Sequence, residues 1–165
     1  MLKILLSIFL SSAIAVPQPL PKAPANSIPT PTKPGTEWHY DLQEAESIAK
    51  LQHRLILLNF SGSDWCGPCI RMHREIFDNA DFHQLSDSTL VLLNADFPRL
   101  RKNQLPAKQQ QANDALADKY NPQGKFPLTI LLTADGKPLR SWDGFPDGGE
   151  AAFTQQLQVA ITANR

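Results

Sequence analysis

The feature that most constrains the fold of this chain is a close pair of cysteines, in WCGPC at residues 65–69. They are the only two cysteines among the 165 residues. The run just before them, LILLNF at 55–60, is typical of a central strand that is covered on both faces. Two cysteines at this spacing can close a small disulfide and reopen it. If the pair opens a helix, the helix N-terminus stabilises the first cysteine as a thiolate, the form that attacks other disulfides. The arrangement favours redox chemistry.

Two other uses of the cysteine pair are less well supported. A structural disulfide across so small a loop removes little entropy from the unfolded chain, and 165 residues can bury an adequate core without it. A structural zinc site needs four ligands, and only His73, four positions after Cys69, could share a helical face with the pair. We therefore expect no metal, and no cofactor other than a redox-active Cys66–Cys69 disulfide. The chain's histidines are His39, His53, His73 and His83.

The amino-terminal third divides into two segments. Residues 1–15, MLKILLSIFLSSAIA, combine a lysine, an apolar run and a small-x-small ending, which predicts a secretory signal peptide cleaved after Ala15. An uncleaved anchor is the alternative, although a spanning helix needs about 20 apolar residues. Residues 16–35 hold half of the fourteen prolines and almost no large apolar side chain, which indicates a Pro-rich flexible linker. One domain is expected over 36–165.

The balance of acidic and basic residues excludes few classes of function. The chain has 16 Lys and Arg against 16 Asp and Glu, and removal of Lys3 with the signal peptide leaves 15 against 16. Such a balance gives no support for nucleic-acid binding, and we expect none.

Helical and strand patterns alternate through the predicted domain. Asp41 followed by Glu44 is typical of a capping box at the start of a helix, and Asp135-Gly136 is typical of a hairpin turn. The order of elements implies a mixed sheet with helices on both faces. The predicted elements are a helix to about His53 with Leu42, Ala45, Ile48 and Ala49 inward, a strand at 55–60, a helix at 69–79 with Ile70, Ile76 and Phe77, a strand at 90–96, a loop at 97–106, a helix at 107–119 with Ala112, Ala115 and Leu116 on one face, strands at 128–133 and 138–142, and a helix at 149–162 with Phe153, Leu157, Ala160 and Ile161.

These motifs resemble the thioredoxin family. The resemblance rests on WCGPC after an apolar strand and on Phe126-Pro127, which opens another strand some sixty residues later, before a hairpin and a final helix. The segments FSGSDWCGPC, LNADFPR and KFPLTILLTADGK are further similar to exported thioredoxin-like proteins of the bacterial disulfide-handling (Dsb) class. The resemblance implies an α/β thioredoxin-like fold, a central mixed β-sheet flanked by helices on both faces, and a periplasmic location.

The resemblance also implies roles for the residues around the cysteines. Cys66 would be the exposed nucleophile and Cys69 the partly buried resolving thiol. Gly67 and Pro68 would shape the turn into the helix, and Trp65 would flank the dithiol as an apolar docking surface.

A second implied element is the peptide between Phe126 and Pro127. Pro127 would be the family's cis-proline, packed against the disulfide, and the backbone at Phe126 would pair with an extended substrate. A cis bond is plausible only because the residue is proline. The alternative is a trans proline that starts an edge strand.

Two departures from thioredoxin stand out. Alignment puts Asn59 where thioredoxin has a buried aspartate beneath the dithiol, which leaves the buried general base in doubt, and Asp64 is expected at the rim as a poor substitute. Residues 97–106 have no counterpart in minimal thioredoxin. We expect this insertion, with Arg99, Arg101 and Lys102, to be a solvated surface loop, and partner docking is the alternative.

The sequence favours a monomeric reductase of disulfide-containing exported proteins. The dipeptide between the cysteines is Gly-Pro, as in thioredoxin, whereas strong oxidants of this class usually place a histidine there, which makes the disulfide more oxidising. A reductase in an oxidising compartment needs electrons, so a membrane thiol reductase is the expected donor. The alternatives are a disulfide isomerase, a cytochrome c maturation factor and a non-catalytic binding module with the same fold.

Overall fold

The computed structural model describes residues 37–164. The predicted signal peptide and the Pro-rich linker lie outside the described residues. Five strands form one sheet in the order β1-β3-β2-β4-β5. Strands β1, β3 and β2 are parallel, and β4 is antiparallel to both β2 and β5. The predicted mixed sheet is confirmed. The strands are β1 Trp38–His39, β2 Leu55–Ser61, β3 Leu90–Asp96, β4 Leu128–Leu132 and β5 Pro138–Asp143.

Five α-helices pack on this sheet, and α2 continues directly into one π-helical turn, His73–Phe77. Within residues 37–164, no helix is long and apolar enough to cross a membrane. The helices are α1 Leu42–Gln52, α2 Gly67–Met72, α3 Ala80–Thr89, α4 Ala107–Tyr120 and α5 Gly149–Thr162.

Local sequence signals explain where several helices begin. The Asp41 carboxylate accepts a hydrogen bond from the Glu44 N–H at 2.9 Å, which is the N-cap bond of the predicted capping box. Helix α1 ends at Gln52, and its C-cap residue His53 adopts the left-handed conformation with φ 53°. Helix α5 has the predicted bounds, and its four predicted inward residues are all buried.

Three elements differ from the sequence prediction, which has no strand at β1, Trp38–His39. The expected helix at 69–79 is α2 plus the π-helical turn, and it starts two residues earlier, at Gly67. Helix α3 was not predicted, because its buried positions include polar Ser86 and Thr89, which interrupt the apolar period. The signal that marks it is Asn79, whose side chain accepts from the Asp81 N–H at 2.9 Å and caps the helix.

The core consists of two apolar layers on opposite faces of the sheet. Successive residues of β2 point to opposite faces: Leu57 packs in one layer with residues of α2, α3 and α5, and Leu58 packs in the other with residues of α1 and α4. Each fully buried leucine contributes roughly 1.5–3 kcal/mol to folding. Helix α2 is therefore held against the sheet from its buried side.

The sequence prediction is wrong for one inward-facing residue on each of two helices, Ile70 on α2 and Ala115 on α4. On α2, Met72 is fully buried, whereas Ile70 is 44% exposed. On α4, Asn113 is buried and Ala115 is exposed. The Asn113 amide donates to the Asp96 carbonyl at 2.8 Å, which explains why a polar residue faces inward there.

Candidate active site

The cysteine pair lies where strand β2 passes into helix α2. The Gly62 carbonyl accepts from the N–H groups of Trp65, at 3.2 Å, and Cys66, at 2.9 Å, so the chain turns sharply before the helix. Cys66 occupies the N-cap position of α2 and forms a disulfide with Cys69. The Cys66 sulfur also accepts from the Cys69 N–H at 3.2 Å. The helix start thus directs a backbone donor at the first sulfur.

Both cysteines are buried in the disulfide form, Cys66 slightly less than Cys69. Cys66 is 5% exposed and Cys69 is 1% exposed. Cys66 is less exposed than the resemblance implied, because in the disulfide its sulfur is bonded to the fully buried Cys69. Gly67 and Pro68, between them, are exposed. In the oxidised form, solvent therefore reaches the helix start mainly at Gly67 and Pro68.

Trp65 lies beside the pair in a fixed position. Its indole N–H donates to the Phe97 carbonyl at 2.7 Å, and the Arg99 guanidinium lies 3.5 Å from the centre of its ring. Gly62 makes this position possible, since a Cβ there would clash with the Trp65 ring. The half-buried ring presents part of its surface next to the dithiol.

The Phe126–Pro127 peptide is cis, as the resemblance implied. Pro127 is buried directly before β4, and its carbonyl accepts from the Gly144 N–H at 2.9 Å. Among the described residues, no backbone hydrogen bond involves Phe126, and its ring lies 5.4 Å from that of Trp65. An aromatic pair and a free stretch of backbone therefore lie on one surface.

A neutral polar row crosses the sheet at Asn59. Asn59 is paired in register with Asn94 of β3 and Thr129 of β4. Its amide donates to Asn94 Oδ1 at 3.2 Å, and its Oδ1 accepts from the Thr129 hydroxyl, also at 3.2 Å. Asn59 is 1% exposed. It shares the face of Leu57, which packs on α2, so the position that resembles thioredoxin's buried acid holds a side chain that does not titrate.

Asp64 lies at the rim, as expected, and it binds the insertion at 97–106. Its carboxylate accepts from the N–H of Arg99 at 2.9 Å, the N–H of Leu100 at 3.0 Å and the side-chain amide of Asn103 at 2.9 Å. The hydrogen bond from Arg99 is the main reason that the pKa of Asp64 is lowered from its ordinary value, although desolvation acts in the opposite direction. Sequence reasoning missed this role. The signal that could have indicated this role is the position of Asp64: it is a carboxylate in the active-site loop, and it is not the residue that caps helix α2.

His73 is part of an aromatic cluster. Its ring lies 5.5 Å from that of Trp38 and 5.2 Å from that of Phe77. Burial lowers the pKa of His73, with Asp78 and Asp96 acting in the opposite direction. Among residues 37–164, no three His, Cys, Asp or Glu side chains form a group that could hold a metal ion.

A disulfide-bonded cysteine pair at the start of a helix, on a mixed sheet of this topology, is the arrangement of thioredoxin-like disulfide oxidoreductases. The chain belongs to this family. A sequence profile of the thioredoxin-like domain matches residues 42–160.

Its relatives are Dsb-type proteins. Disulfide bond reductase DsbH of Chlamydia pneumoniae is 36% identical over 118 residues, which cover 72% of this chain and 69% of that protein. Thioredoxin-related protein DsbJ of the same organism is 30% identical over 102 residues, which cover 62% of this chain but 28% of DsbJ. A solved structure of a DsbH oxidoreductase matches with a TM-score of 0.68 and 35% identity, covering 76% of this chain and 84% of that one.

Proposed function

We propose that this protein reduces disulfides of exported proteins in the periplasm through its Cys66–Cys69 dithiol. The observation that carries the proposal is the position of Cys66, whose sulfur accepts the Cys69 N–H at the start of α2. After reduction, the same N–H stabilises a Cys66 thiolate, because a hydrogen bond to an anion is stronger than one to a neutral sulfur. The similarity to a disulfide bond reductase of Chlamydia supports the direction.

The reaction consists of two thiol–disulfide exchanges. The Cys66 thiolate attacks one sulfur of the substrate disulfide, forms a mixed disulfide and displaces one substrate thiolate. The Cys69 thiolate then attacks the Cys66 sulfur and displaces the second substrate thiolate. The substrate gains two electrons, the protein dithiol becomes the Cys66–Cys69 disulfide, and the protons of the two protein thiols end on the substrate thiols.

The polar row at Asn59 affects how the second thiol loses its proton. Asn59 cannot accept a proton from Cys69, since its side chain is a neutral amide. In this mechanism the substrate thiolate displaced in the first exchange takes up the Cys69 proton, directly or through water, before Cys69 attacks. The resolving step therefore does not depend on the ionisation of a carboxyl group at position 59.

The aromatic surface next to the dithiol supplies a docking site for the substrate. Trp65 and Phe126 offer apolar contacts, and the backbone of Phe126 can hydrogen-bond to an extended chain beside Pro127. Gly67 and Pro68 keep the helix start open on the exposed side. These are the roles that we propose for the residues around the two cysteines.

The location and the electron supply belong to the same proposal. A signal peptide at residues 1–15 would export the chain, and the linker at 16–35 would act as a spacer between the export machinery and a monomeric domain at 36–165. In an oxidising compartment the protein disulfide persists until a donor reduces it. We propose a membrane thiol reductase as that donor.

Two cysteine variants test the function. The reduced protein, freed of reductant, is mixed with a peptide disulfide that carries a fluorophore and a quencher, and thiol release is followed in a single turnover. We expect C66S to be inactive and C69S to accumulate a mixed disulfide that mass spectrometry detects. An active C66S variant would contradict the proposal. If the protein efficiently restores the native disulfides of a substrate with scrambled disulfides, but reduces the peptide disulfide only slowly, an isomerase would be favoured instead.

A further inference from the structure

The insertion at 97–106 is fixed to the active-site loop. Asp64 holds it through three hydrogen bonds, and the Trp65 indole holds it through the Phe97 carbonyl. Backbone amides form two of the three bonds to Asp64, so they fix the path of the main chain and not merely a side chain. The insertion therefore has a defined position relative to the dithiol.

The insertion places three exposed cations at this position. In the described part of the chain, the charged groups of Arg99, Arg101 and Lys102 make no ion pair and no hydrogen bond to a protein group. The segment contains no Asp or Glu, and within residues 37–164 Asp64 is the only carboxylate that binds it. We call Arg99, Arg101 and Lys102 the cationic rim.

Elsewhere in residues 37–164, several basic side chains have an acidic partner, whereas Lys108, Lys119, Lys137 and Arg140 form no ion pair. Arg71 and Arg74 both bind Glu75, and Lys125 binds Asp143. The rim differs in its density of charge, since three cations lie within four residues of a segment without Asp or Glu, in a protein with equal numbers of acidic and basic residues.

Arg99 connects the rim with the dithiol. Its guanidinium lies over the ring of Trp65, the residue that precedes Cys66. An arginine in this stacked geometry keeps its N–H donors at the ring edge available for a carboxylate. Leu100, 48% exposed, adds an apolar contact between the cations.

We propose that the cationic rim binds Asp and Glu side chains that flank the disulfide of the substrate polypeptide. The inference rests on the proposed reductase function and names its preferred substrate class. Complementary charge at the edge of a contact surface mainly raises the association rate and orients the partner. Through Arg99, which stacks on the residue before Cys66, the rim would bring an acidic disulfide segment to the nucleophilic cysteine in a productive orientation.

Matched peptide disulfides test this preference. Two versions of the fluorophore–quencher peptide differ only in four residues flanking the cysteine, which are Glu in one and Gln in the other. The second-order rate constant for reduction by the pre-reduced protein is measured at low salt and at 0.5 M salt. We expect the Glu peptide to react roughly three- to tenfold faster at low salt, and the ratio to approach one at high salt, because exposed charge pairs are weak and screened.

A double variant and a matched control locate the effect. R101Q/K102Q removes two rim charges and leaves Arg99 on Trp65. K119Q/K137Q removes two exposed charges at the opposite end of the domain, where the Tyr120 hydroxyl binds the Gly136 carbonyl at 2.8 Å. We expect the Glu/Gln rate ratio to approach one in R101Q/K102Q and to stay at its wild-type value in K119Q/K137Q.

The outcomes separate the inference from the proposed function. Equal rate constants for the two peptides in the wild type, or a preference that survives R101Q/K102Q, would overturn the inference. An equal loss of preference in K119Q/K137Q would also overturn it, because net charge would then be the cause. Failure of the wild type to reduce even the Gln peptide would instead contradict the proposed function.

Discussion

At the scale of single residues, Asn59 is the position that most separates this site from thioredoxin. It is fully enclosed, and both of its amide atoms have a partner on a neighbouring strand. A carboxylate in the same place would lose its hydration, which is costly unless a cation or several donors compensate. The row of Asn94, Asn59 and Thr129 is neutral and satisfied, so the site needs no buried charge for its stability.

We expect N59D to make stability depend on pH. Burial raises the pKa of a carboxyl group above its unfolded value of about 3.9. The protonated form is then favoured in the folded protein, so stability is kept at low pH and lost as pH rises through the folded-state pKa. Urea denaturation should show a loss of about 2 kcal/mol or more at pH 8 relative to wild type, and less at pH 5.

The matched control for this change is N79D. Asn79 caps α3 at the surface, where Asp is an equally good cap. We expect little change in stability in N79D at either pH. An N59D protein as stable as wild type at pH 8 would mean that donors reorient to compensate the new charge, contrary to our account of the row.

At the scale of elements, the insertion depends on one carboxylate for its position. Asp64 accepts from the N–H groups of Arg99 and Leu100. We expect D64A to increase hydrogen exchange at these two amides, measured by NMR as a loss of protection, while the core strands stay protected. D114A is the control, since Asp114 accepts only from the side chain of Gln110 and binds no backbone amide.

The same contact predicts a pH effect in the wild type. Because the pKa of Asp64 is lowered in the folded protein, the stabilisation of the insertion is complete above the unfolded value of about 3.9 and is lost as pH falls through the lower folded value. Protection at Arg99 and Leu100 should then fall in acid before the core unfolds. Protection that is unchanged in D64A would contradict the assigned role of Asp64.

The π-helical turn contributes a second titrating contact. Burial lowers the pKa of His73, so the folded state favours its neutral form. Stability from this residue is complete above an unfolded pKa of about 6.5 and is lost as pH falls below it. We expect H73F, which keeps a ring between Trp38 and Phe77, to lose less stability than wild type between pH 8 and pH 5 in urea denaturation. Identical pH dependence in the two proteins would exclude His73 as a source of it.

The elements with clear apolar patterns could be predicted from sequence. Strands β2 and β3 are short apolar runs, and α5 carries a regular apolar stripe. Helix α3 could not be found in this way because polar side chains fill part of its buried face. Strand β1 has only two residues, too few for any period, and it exists because β3 offers it a partner.

The candidate site was predictable in its motif but not in its surroundings. The spacing of Cys66 and Cys69 is local, so sequence alone indicates it. The contacts that distinguish this protein join distant segments: Asn59 and Thr129 are 70 positions apart, and Asp64 and Arg99 are 35 positions apart. Such contacts follow from the order of strands in the sheet, which no local pattern specifies.

At the scale of the whole molecule, these features describe a redox dithiol, which we propose to be reducing, with a neutral interior beneath it and a charged insertion beside it. The parallel strands β3 and β2 end at the same edge, so the active-site loop and the insertion that follow them come together there. The fold thus joins a family motif to a segment through which substrate preference can change without altering the chemistry.

The central claim, that the dithiol acts as a reductant, is tested most directly by its equilibrium reduction potential. The protein is equilibrated with graded ratios of oxidised and reduced dithiothreitol or glutathione, and the fraction of the Cys66–Cys69 disulfide is measured after alkylation. We predict a potential near that of thioredoxin, about −270 mV. A potential near that of the strong oxidant DsbA, about −120 mV, would contradict the account and make this protein a disulfide donor.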